Sequence, residues 1–301
     1  MPTTTSSERA ADLVRRVQLP ALPVVVSRLV EIANDPDASP ADLSGVIALD
    51  PALLTSILKL ANSAYYGRSR MVSDLEAATM LLGFDQVRDL ALSLNVIAAV
   101  EPGEPCAFST RDFWKHSFLT GSLARVLCRR LWRVYPGDHY VAGFLHDIGR
   151  LVLHLADPRA MRSVVAAVNA GEDGLAAERR VFQCDHAEIG ALACRYWRLP
   201  DRIAVAVGAH HGAGLESAPA LGELELVQIV HVANLLANRA GLGFTARRHR
   251  QKLLPAVRLG LTRRGIALRR SQLAGLTAQL VADVETTAQI LALGQPQANQ
   301  E

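Results

Sequence analysis

The stretch Phe144-Leu145-His146-Asp147-Ile148-Gly149 lies inside a long apolar segment of helical character. An aspartate next to a histidine is costly to bury without compensation. Adjacent residues point about 100° apart on a helix, so both side chains can reach one centre only where the helix ends. Gly149 is a suitable C-cap for such an end. The stretch therefore predicts a buried polar site at the end of a helix.

The sequence on both sides of this stretch repeats apolar residues at helical spacing. One such stripe consists of Phe113, His116, Thr120, Leu123 and Leu127. Ser39 and Asp185 are each followed three residues later by an acidic residue, which is an N-cap signal. Aromatic residues make up only 5% of the chain, and no segment alternates as a half-buried strand would. These patterns predict an all-α fold.

Two prolines and a glycine at 101–105 mark the best internal boundary. We expect a disordered tail at residues 1–10 and one domain at residues 11–215. That domain would contain an N-terminal helical half (11–100) and a second helical half (106–215). Residues 216–301 would form a C-terminal helical extension that completes the second bundle.

Composition narrows the class of protein. The formal net charge is only +3, which does not require a nucleic-acid partner. The N-terminus lacks an apolar signal core, and the longest apolar stretch is too short to span a bilayer. The four cysteines form no CxxC pair and are typical of reduced, buried thiols. We therefore expect a cytoplasmic protein with no membrane partner.

Five residues of the second half form a candidate metal site. They are His116, His146, Asp147, His186 and His210. His116 alone could be a core residue bonded to a carbonyl, and His186 alone could be a solvated polar residue. The joint occurrence of the five residues favours one pocket. Imidazole and carboxylate ligands suit Fe, Mn, Zn or Ni rather than Ca. The set predicts a site for a divalent transition metal.

Two further residues are candidates for a second shell or for weak ligands. His211 would point about 100° away from His210 if both lay on one helix, so we expect only His210 to face the dyad. Asn234 shares a helical stripe with Val227, Val230 and Ala237, which places it inward. An amide supplies at most one neutral carbonyl ligand, so Asn234 would weaken the metal site relative to a carboxylate.

Residues from Leu19 to about Gly212 resemble an HDOD domain, the "HD-related output domain" of bacterial signalling proteins. The most diagnostic block is Asp50-Pro51-Ala52-Leu53 with Leu60-Ala61-Asn62-Ser63-Ala64-Tyr65-Tyr66-Gly67. The other matching segments are Leu19-Pro20-Ala21-Leu22-Pro23, Leu82-Gly83, Phe113-Trp114-Lys115-His116-Ser117, Phe144 to Gly149, Asp185-His186-Ala187-Glu188-Ile189-Gly190, Trp197-Arg198-Leu199-Pro200 and His210-His211. The resemblance covers about two thirds of the chain.

This resemblance implies a role in bacterial signal transduction. The related HD-GYP phosphodiesterases hydrolyse cyclic-di-GMP and carry Gly-Tyr-Pro after their histidine pair, where this chain has Gly212-Ala213-Gly214-Leu215-Glu216. Asn234 stands where the HD superfamily usually has its last aspartate. These departures favour a regulatory output module with a degenerate metal pocket, metal-loaded or metal-free. The alternative is an active metal-dependent phosphohydrolase acting on a nucleotide or cyclic dinucleotide.

The partners expected from the resemblance are receiver, kinase or cyclic-dinucleotide proteins acting in trans, and a homodimer is also compatible with it. The stretch from Leu226 to Ala282 has no acidic residue. Its basic residues are Arg239, Arg247, Arg248, Arg250, Lys252, Arg258, Arg263, Arg264, Arg269 and Arg270. Such a patch could meet phosphates. We favour a solvated face instead, and expect no nucleic-acid binding at physiological salt.

Overall fold

Every regular element in the described part of the chain is a helix, which confirms the all-α prediction. The computed structural model describes residues 6–63, 71–100, 106–132, 137–212, 221–241, 253–263, 265 and 270–294. The expected boundary at 101–105, residues 64–67 of the diagnostic block, residues 213–216 after the histidine pair and most of the C-terminal basic residues lie outside these ranges.

The helices fall into three successive groups along the chain. The first group is α1 (Ser6–Val17), α2 (Val24–Asn34), α3 (Pro40–Ile47), α4 (Pro51–Ala61), α5 (Leu75–Leu82) and α6 (Phe84–Val100). The second is α7 (Thr110–Leu127) with a π-helical turn (Cys128–Trp132), α8 (His139–Leu145), α9 (Gly149–Ala156), α10 (Pro158–Ala170), α11 (Gly174–Phe182), α12 (His186–Tyr196) and α13 (Asp201–Ala209). The third is α14 (Leu221–Arg239), α15 (Pro255–Arg263) and α16 (Arg270–Gly294).

Two helices begin at the capping residues that the sequence indicated. The Ser39 side chain accepts a hydrogen bond from the Asp42 backbone N–H, and the Asp42 carboxylate accepts one from the Ser39 backbone N–H. Asp185 and Glu188 make the same reciprocal pair at the start of α12. Each pair satisfies two backbone donors that a helix terminus would otherwise leave open. The cap on α12 also determines where His186 lies, because His186 is the first residue of that helix.

The first helix begins earlier than expected and packs on the second half of the protein. Helix α1 starts at Ser6, so residues 6–10 of the expected disordered tail are helical. Its apolar face, which includes Ala10 and Leu13, is buried against α9 and α12. The Ser6 hydroxyl donates to Glu188 Oε2 at 2.6 Å. Burial of this face supplies the free energy that orders the segment. The composition of residues 1–10 does not show that burial, so the expectation of a disordered tail did not include it.

Polar contacts join the two halves and the C-terminal helices. Asn34 at the end of α2 and Arg202 in the first turn of α13 both bond to Asp138, which immediately precedes α8. Lys115 on α7 forms an ion pair with Glu285 on α16, with a 2.7 Å N–O distance. Helix α14 packs against α7, α8 and α13. Helices α7, α8 and α13, which surround the dyad, are therefore joined both to the N-terminal helices and to the C-terminal helices.

No helix in the described ranges has both the length and the apolar character needed to cross a lipid bilayer.

Candidate metal centre

The dyad lies in a turn between two helices. Helix α8 ends at Leu145 and α9 begins at Gly149, so His146 and Asp147 occupy the connection and can both reach one centre. Gly149 was expected to be a C-cap and is instead the first residue of α9. A Cβ at Gly149 would lie 1.9 Å from the His186 carbonyl oxygen. The glycine is therefore required by the close approach of α9 to α12, which brings His186 to the dyad.

Two predicted histidines face one oxygen of Asp147. His146 Nε2 lies 3.4 Å from Asp147 Oδ2, and His116 Nε2, from α7, lies 3.7 Å from the same oxygen. The two Nε2 atoms are 3.1 Å apart. All three side chains are at most 2% exposed. We call these residues the Oδ2 set.

The other oxygen of Asp147 faces the remaining predicted histidines. His186 Nε2 lies 3.1 Å and His210 Nε2 lies 3.5 Å from Asp147 Oδ1. The five residues predicted from the sequence are therefore brought together in the structure, with Asp147 at their centre. His211 also belongs here, because its Nε2 lies 3.0 Å from that of His186. We call Asp147 with His186, His210 and His211 the Oδ1 set.

The expectation that only one of the His210–His211 pair faces the dyad is wrong. It assumed that both residues lie on a regular helix, where they would point about 100° apart. Helix α13 ends at Ala209, so the pair occupies the following turn. The backbone there turns both rings to the same side, with centroids 4.0 Å apart. The premature helix end is the physical reason for the difference.

Hydrogen bonds determine which nitrogen of two imidazoles faces the centre. His146 Nδ1 lies 2.8 Å from the Gly143 carbonyl oxygen, and His210 Nδ1 lies 2.6 Å from that of Val207. A carbonyl only accepts, so each Nδ1 carries the proton and donates it. In their neutral forms both rings therefore direct an Nε2 lone pair towards Asp147. Histidines that bind a metal through Nε2 usually adopt this tautomer, because their Nδ1–H donates to a backbone carbonyl or a carboxylate.

The donor atoms fit a divalent transition metal. His210 Nε2 is buried and has no hydrogen-bond partner among the residues of the described ranges. Two ligands that each lie about 2.1 Å from an ion are about 3.0–3.4 Å apart at octahedral or tetrahedral angles. The distances of 3.1–3.7 Å from Asp147 to the four predicted histidines are close to this spacing.

Two charged residues of the site were missed by the sequence analysis. Glu178 on α11 is fully buried, and its Oε2 accepts hydrogen bonds from His186 Nδ1 at 2.6 Å and from the His186 backbone N–H at 2.9 Å. Arg150, in the first turn of α9, contacts Asp147 Oδ2 through Nη1, and its Nε lies 3.3 Å from Glu178 Oε1. Arg150 could have been found from its position three residues after Asp147. Glu178 lies in an ordinary charged helix and had no signal in its spacing.

Helix α14 contributes one more positioning contact. His231 Nδ1 donates to the His210 backbone carbonyl at 2.9 Å, which ties the turn after α13 to α14. Asn234, on the same helix, is buried as expected, at 2% exposure. Its Oδ1 accepts a hydrogen bond from Asn238 at 2.7 Å. The role of Asn234 as a weak ligand stays a prediction.

The electrostatics of the cluster keep its carboxylates ionised. Burial opposes ionisation of Asp147, but Arg150 and His146 outweigh it and hold the pKa of Asp147 well below its usual value. Burial and Arg150 also oppose protonation of His186. Glu178 and Asp147 overcome both and raise the pKa of His186 to about 9. Burial lowers the pKa of His210 to about 4. His186 is therefore protonated at neutral pH in the metal-free cluster, and metal binding must displace its Nε2 proton.

Comparisons with known proteins identify the family. The family model described as the HDOD domain matches residues 19–213. The chain is also 25% identical over 219 residues to an uncharacterized protein from Treponema pallidum (strain Nichols), a match that covers 69% of this chain and 40% of that protein. The chain therefore matches less than half the length of this curated relative.

Solved structures share the fold. An HDOD domain protein with unknown function from Geobacter sulfurreducens has a TM-score of 0.75 at 23% identity, covering 92% of this chain and 96% of that chain. A "putative signal transduction protein" from Marinobacter aquaeolei VT8 has a TM-score of 0.74 at 22% identity, covering 95% and 64%. A "putative phosphohydrolase" from Shewanella amazonensis SB2B has a TM-score of 0.64 at 25% identity, covering 94% and 98%.

Proposed function

We propose that this protein, which belongs to the HDOD family, is a regulatory output module of bacterial signalling whose pocket binds a divalent transition metal. It would act by binding partner proteins or a ligand rather than by hydrolysing cyclic dinucleotides. The observation that carries metal binding is the buried imidazole of His210, whose Nε2 lone pair is directed at Asp147 by a hydrogen bond on the opposite nitrogen.

Each residue of the cluster has a distinct task in this proposal. Asp147 and the histidines around it are the candidate ligands, while Glu178 orients the ring of His186 through its Nδ1. Arg150 neutralises part of the carboxylate charge when no ion is bound. A divalent ion held there would supply Lewis acidity towards a phosphoryl oxygen or a water molecule. Fe, Mn, Zn and Ni all accept this donor set.

The regulatory interpretation is supported by burial and by sequence. The side chains of Asp147, His146, His186 and His210 are at most 2% exposed, which restricts the access of a bulky cyclic dinucleotide. The chain lacks the Gly-Tyr-Pro element, and a neutral amide at Asn234 cannot replace an anionic ligand. The family resemblance implies signalling, so the proposed partners are receiver, kinase or cyclic-dinucleotide proteins in trans.

The alternative is an active metal-dependent phosphohydrolase acting on a nucleotide or cyclic dinucleotide. It is favoured by the histidine–aspartate cluster itself and by the name of the Shewanella amazonensis neighbour. In that case a bound ion would activate water near a phosphoryl group.

Metal content and hydrolysis, measured on the same preparations, separate these functions. The variants are wild type, Asp147→Asn, and Asp201→Asn as a control on the exposed start of α13. We expect metal in wild type and in Asp201→Asn, loss of metal in Asp147→Asn, and no cyclic-di-GMP turnover above the Asp147→Asn background. Metal-free wild type after reconstitution would contradict metal binding. Wild-type turnover that Asp147→Asn abolishes would contradict the regulatory module.

A further inference from the structure

Asp147 is shared by two groups of ligands that could each hold an ion. The Oδ2 set offers His116 and His146, and the Oδ1 set offers His186, His210 and His211. Ligand atoms within each set lie within 4.8 Å of one another. A carboxylate placed between two such sets can bridge two ions, as in centres whose metals lie about 3.5–4 Å apart. The histidines alone therefore do not determine whether this centre holds one ion or two.

Arg150 distinguishes the two sets. Its Nη1 contacts Asp147 Oδ2, the oxygen that faces His116 and His146. Its Nε lies 3.3 Å from Glu178 Oε1, so the guanidinium is held by two carboxylates. Its side chain is only 13% exposed. An arginine side chain does not lose its proton in proteins, so it is a permanent cation beside the Oδ2 set.

The charge balance of the buried cluster makes a second ion more costly when Arg150 is present. Asp147 and Glu178 supply two negative charges, and Arg150 cancels one of them. With neutral histidines, one divalent ion leaves the cluster with a single positive charge, whereas two ions leave three. Uncompensated charge is expensive to bury. Without Arg150, one ion would leave the cluster neutral and two ions would leave two positive charges rather than three, and Oδ2 would be open to a metal.

We propose that Arg150 limits this centre to one divalent ion, held by the Oδ1 set, because its guanidinium occupies Asp147 Oδ2 in place of a second ion. This inference rests on the proposed metal binding and adds its stoichiometry and position. Arg150 is a positioning residue here, since it contacts ligands and not the metal.

The test is a titration of metal-free protein with Co²⁺, followed by the visible absorbance of the bound ion. Wild type is compared with Arg150→Gln, and with Arg180→Gln as a matched control. Arg180 also pairs with a glutamate, Glu172, but on the exposed surface of α11. We expect an end point at one equivalent for wild type and Arg180→Gln, and at two for Arg150→Gln. With Mn²⁺, the second ion should appear as exchange coupling in the electron paramagnetic resonance spectrum.

A second pair of variants tests the position of the ion without relying on the fold of Arg150→Gln. His116→Gln should leave the single equivalent of wild type unchanged within about twofold in affinity, because His116 belongs to the Oδ2 set. His210→Gln should weaken the same equivalent by at least about tenfold, because loss of a direct ligand should cost at least as much as the ~10–100-fold loss that is usual for an outer-shell partner. Combined with Arg150→Gln, His116→Gln should remove only the second equivalent. Circular dichroism confirms that each variant is helical before titration.

Three results would overturn the inference while leaving metal binding intact. They are two equivalents in wild type, one equivalent in a folded Arg150→Gln, and loss of the wild-type equivalent in His116→Gln. Absence of any Co²⁺ binding by wild type would overturn the proposed metal site itself, and this inference with it.

Discussion

Replacing Glu178 with glutamine tests whether the carboxylate that holds His186 in position also controls the affinity of the cluster for metal. The substitution keeps the shape of the side chain and removes its charge. Glu178 accepts two hydrogen bonds from His186, one from the ring and one from the backbone. Hydrogen bonds to a charged group contribute about 1 kcal/mol more than those between neutral groups. The change should therefore remove about 2 kcal/mol from the two hydrogen bonds that hold the ring and the backbone of His186 in position.

This cost corresponds to about a 30-fold loss of metal affinity. The value lies within the ~10–100-fold range that is usual for outer-shell partners of metal ligands. Because Glu178 also raises the pKa of His186, glutamine should make the displaced proton easier to remove, which offsets part of the loss. The net expectation is a decrease of about tenfold or more.

The assay is Co²⁺ binding in competition with a chelator of known affinity. Glu172→Gln is the matched control, since Glu172 is also a carboxylate paired with an arginine but lies on the surface. It should leave the Co²⁺ affinity unchanged. If Glu178→Gln binds Co²⁺ as tightly as wild type, or if both variants lose affinity equally, then Glu178 does not orient a metal ligand and the reasoning is refuted.

Three further predictions follow from the same site. Asn234→Asp should raise metal per chain relative to identically prepared wild type, because a carboxylate offsets cationic charge that an amide cannot; equal occupancy would show that Asn234 is not at a ligand position. Gly149→Ala should lower the free energy of unfolding by about 3 kcal/mol in urea denaturation, because the new Cβ would lie 1.9 Å from a carbonyl oxygen. The control Gly45→Ala should raise the free energy of unfolding by about 0.5–1 kcal/mol, because the space around Gly45 on α3 is open. The melting temperature of the metal-free protein should be highest near pH 6.5, and a flat profile between pH 4 and 9 would contradict this. The raised pKa of His186 contributes stability that is complete below 6.5 and is lost as the pH rises through about 9, while the lowered pKa of His210 contributes stability that is lost as the pH falls towards 4.

Local sequence patterns predicted much of the architecture. The 3.6-residue periodicity and the capping pairs at Ser39 and Asp185 predicted the helical fold and two of its helix starts. These features depend on residues within one or two turns, so they are readable without the tertiary structure. The same patterns led to the grouping of His116, His146, Asp147, His186 and His210 as one candidate site. The HDOD resemblance, which came from whole motifs, is confirmed by the family match.

The errors occurred where a helix end or a long-range contact was needed. His211 was assigned away from the dyad because the sequence did not show that α13 stops at Ala209. Gly149 was assigned as a C-cap, although a glycine is required there because the His186 carbonyl of α12 approaches too closely for a side chain. The order in α1 depends on burial against α9 and α12, which lie more than one hundred residues further along the chain. For Gly149 and α1 the deciding partner is distant in sequence.

The sequence by itself determined the helices, the family and the identity of the ligand candidates, because periodicity, caps and motifs are local properties of the chain. Only the tertiary structure decided how Asp147 divides its two oxygens, which nitrogen of His146 and His210 faces it, and that Arg150 and Glu178 complete the charge balance. These features arise from the packing of α8, α9, α11, α12 and α13 around one turn. Hydrogen-bond direction and charge compensation depend on distances between atoms, and spacing along the chain does not specify those distances.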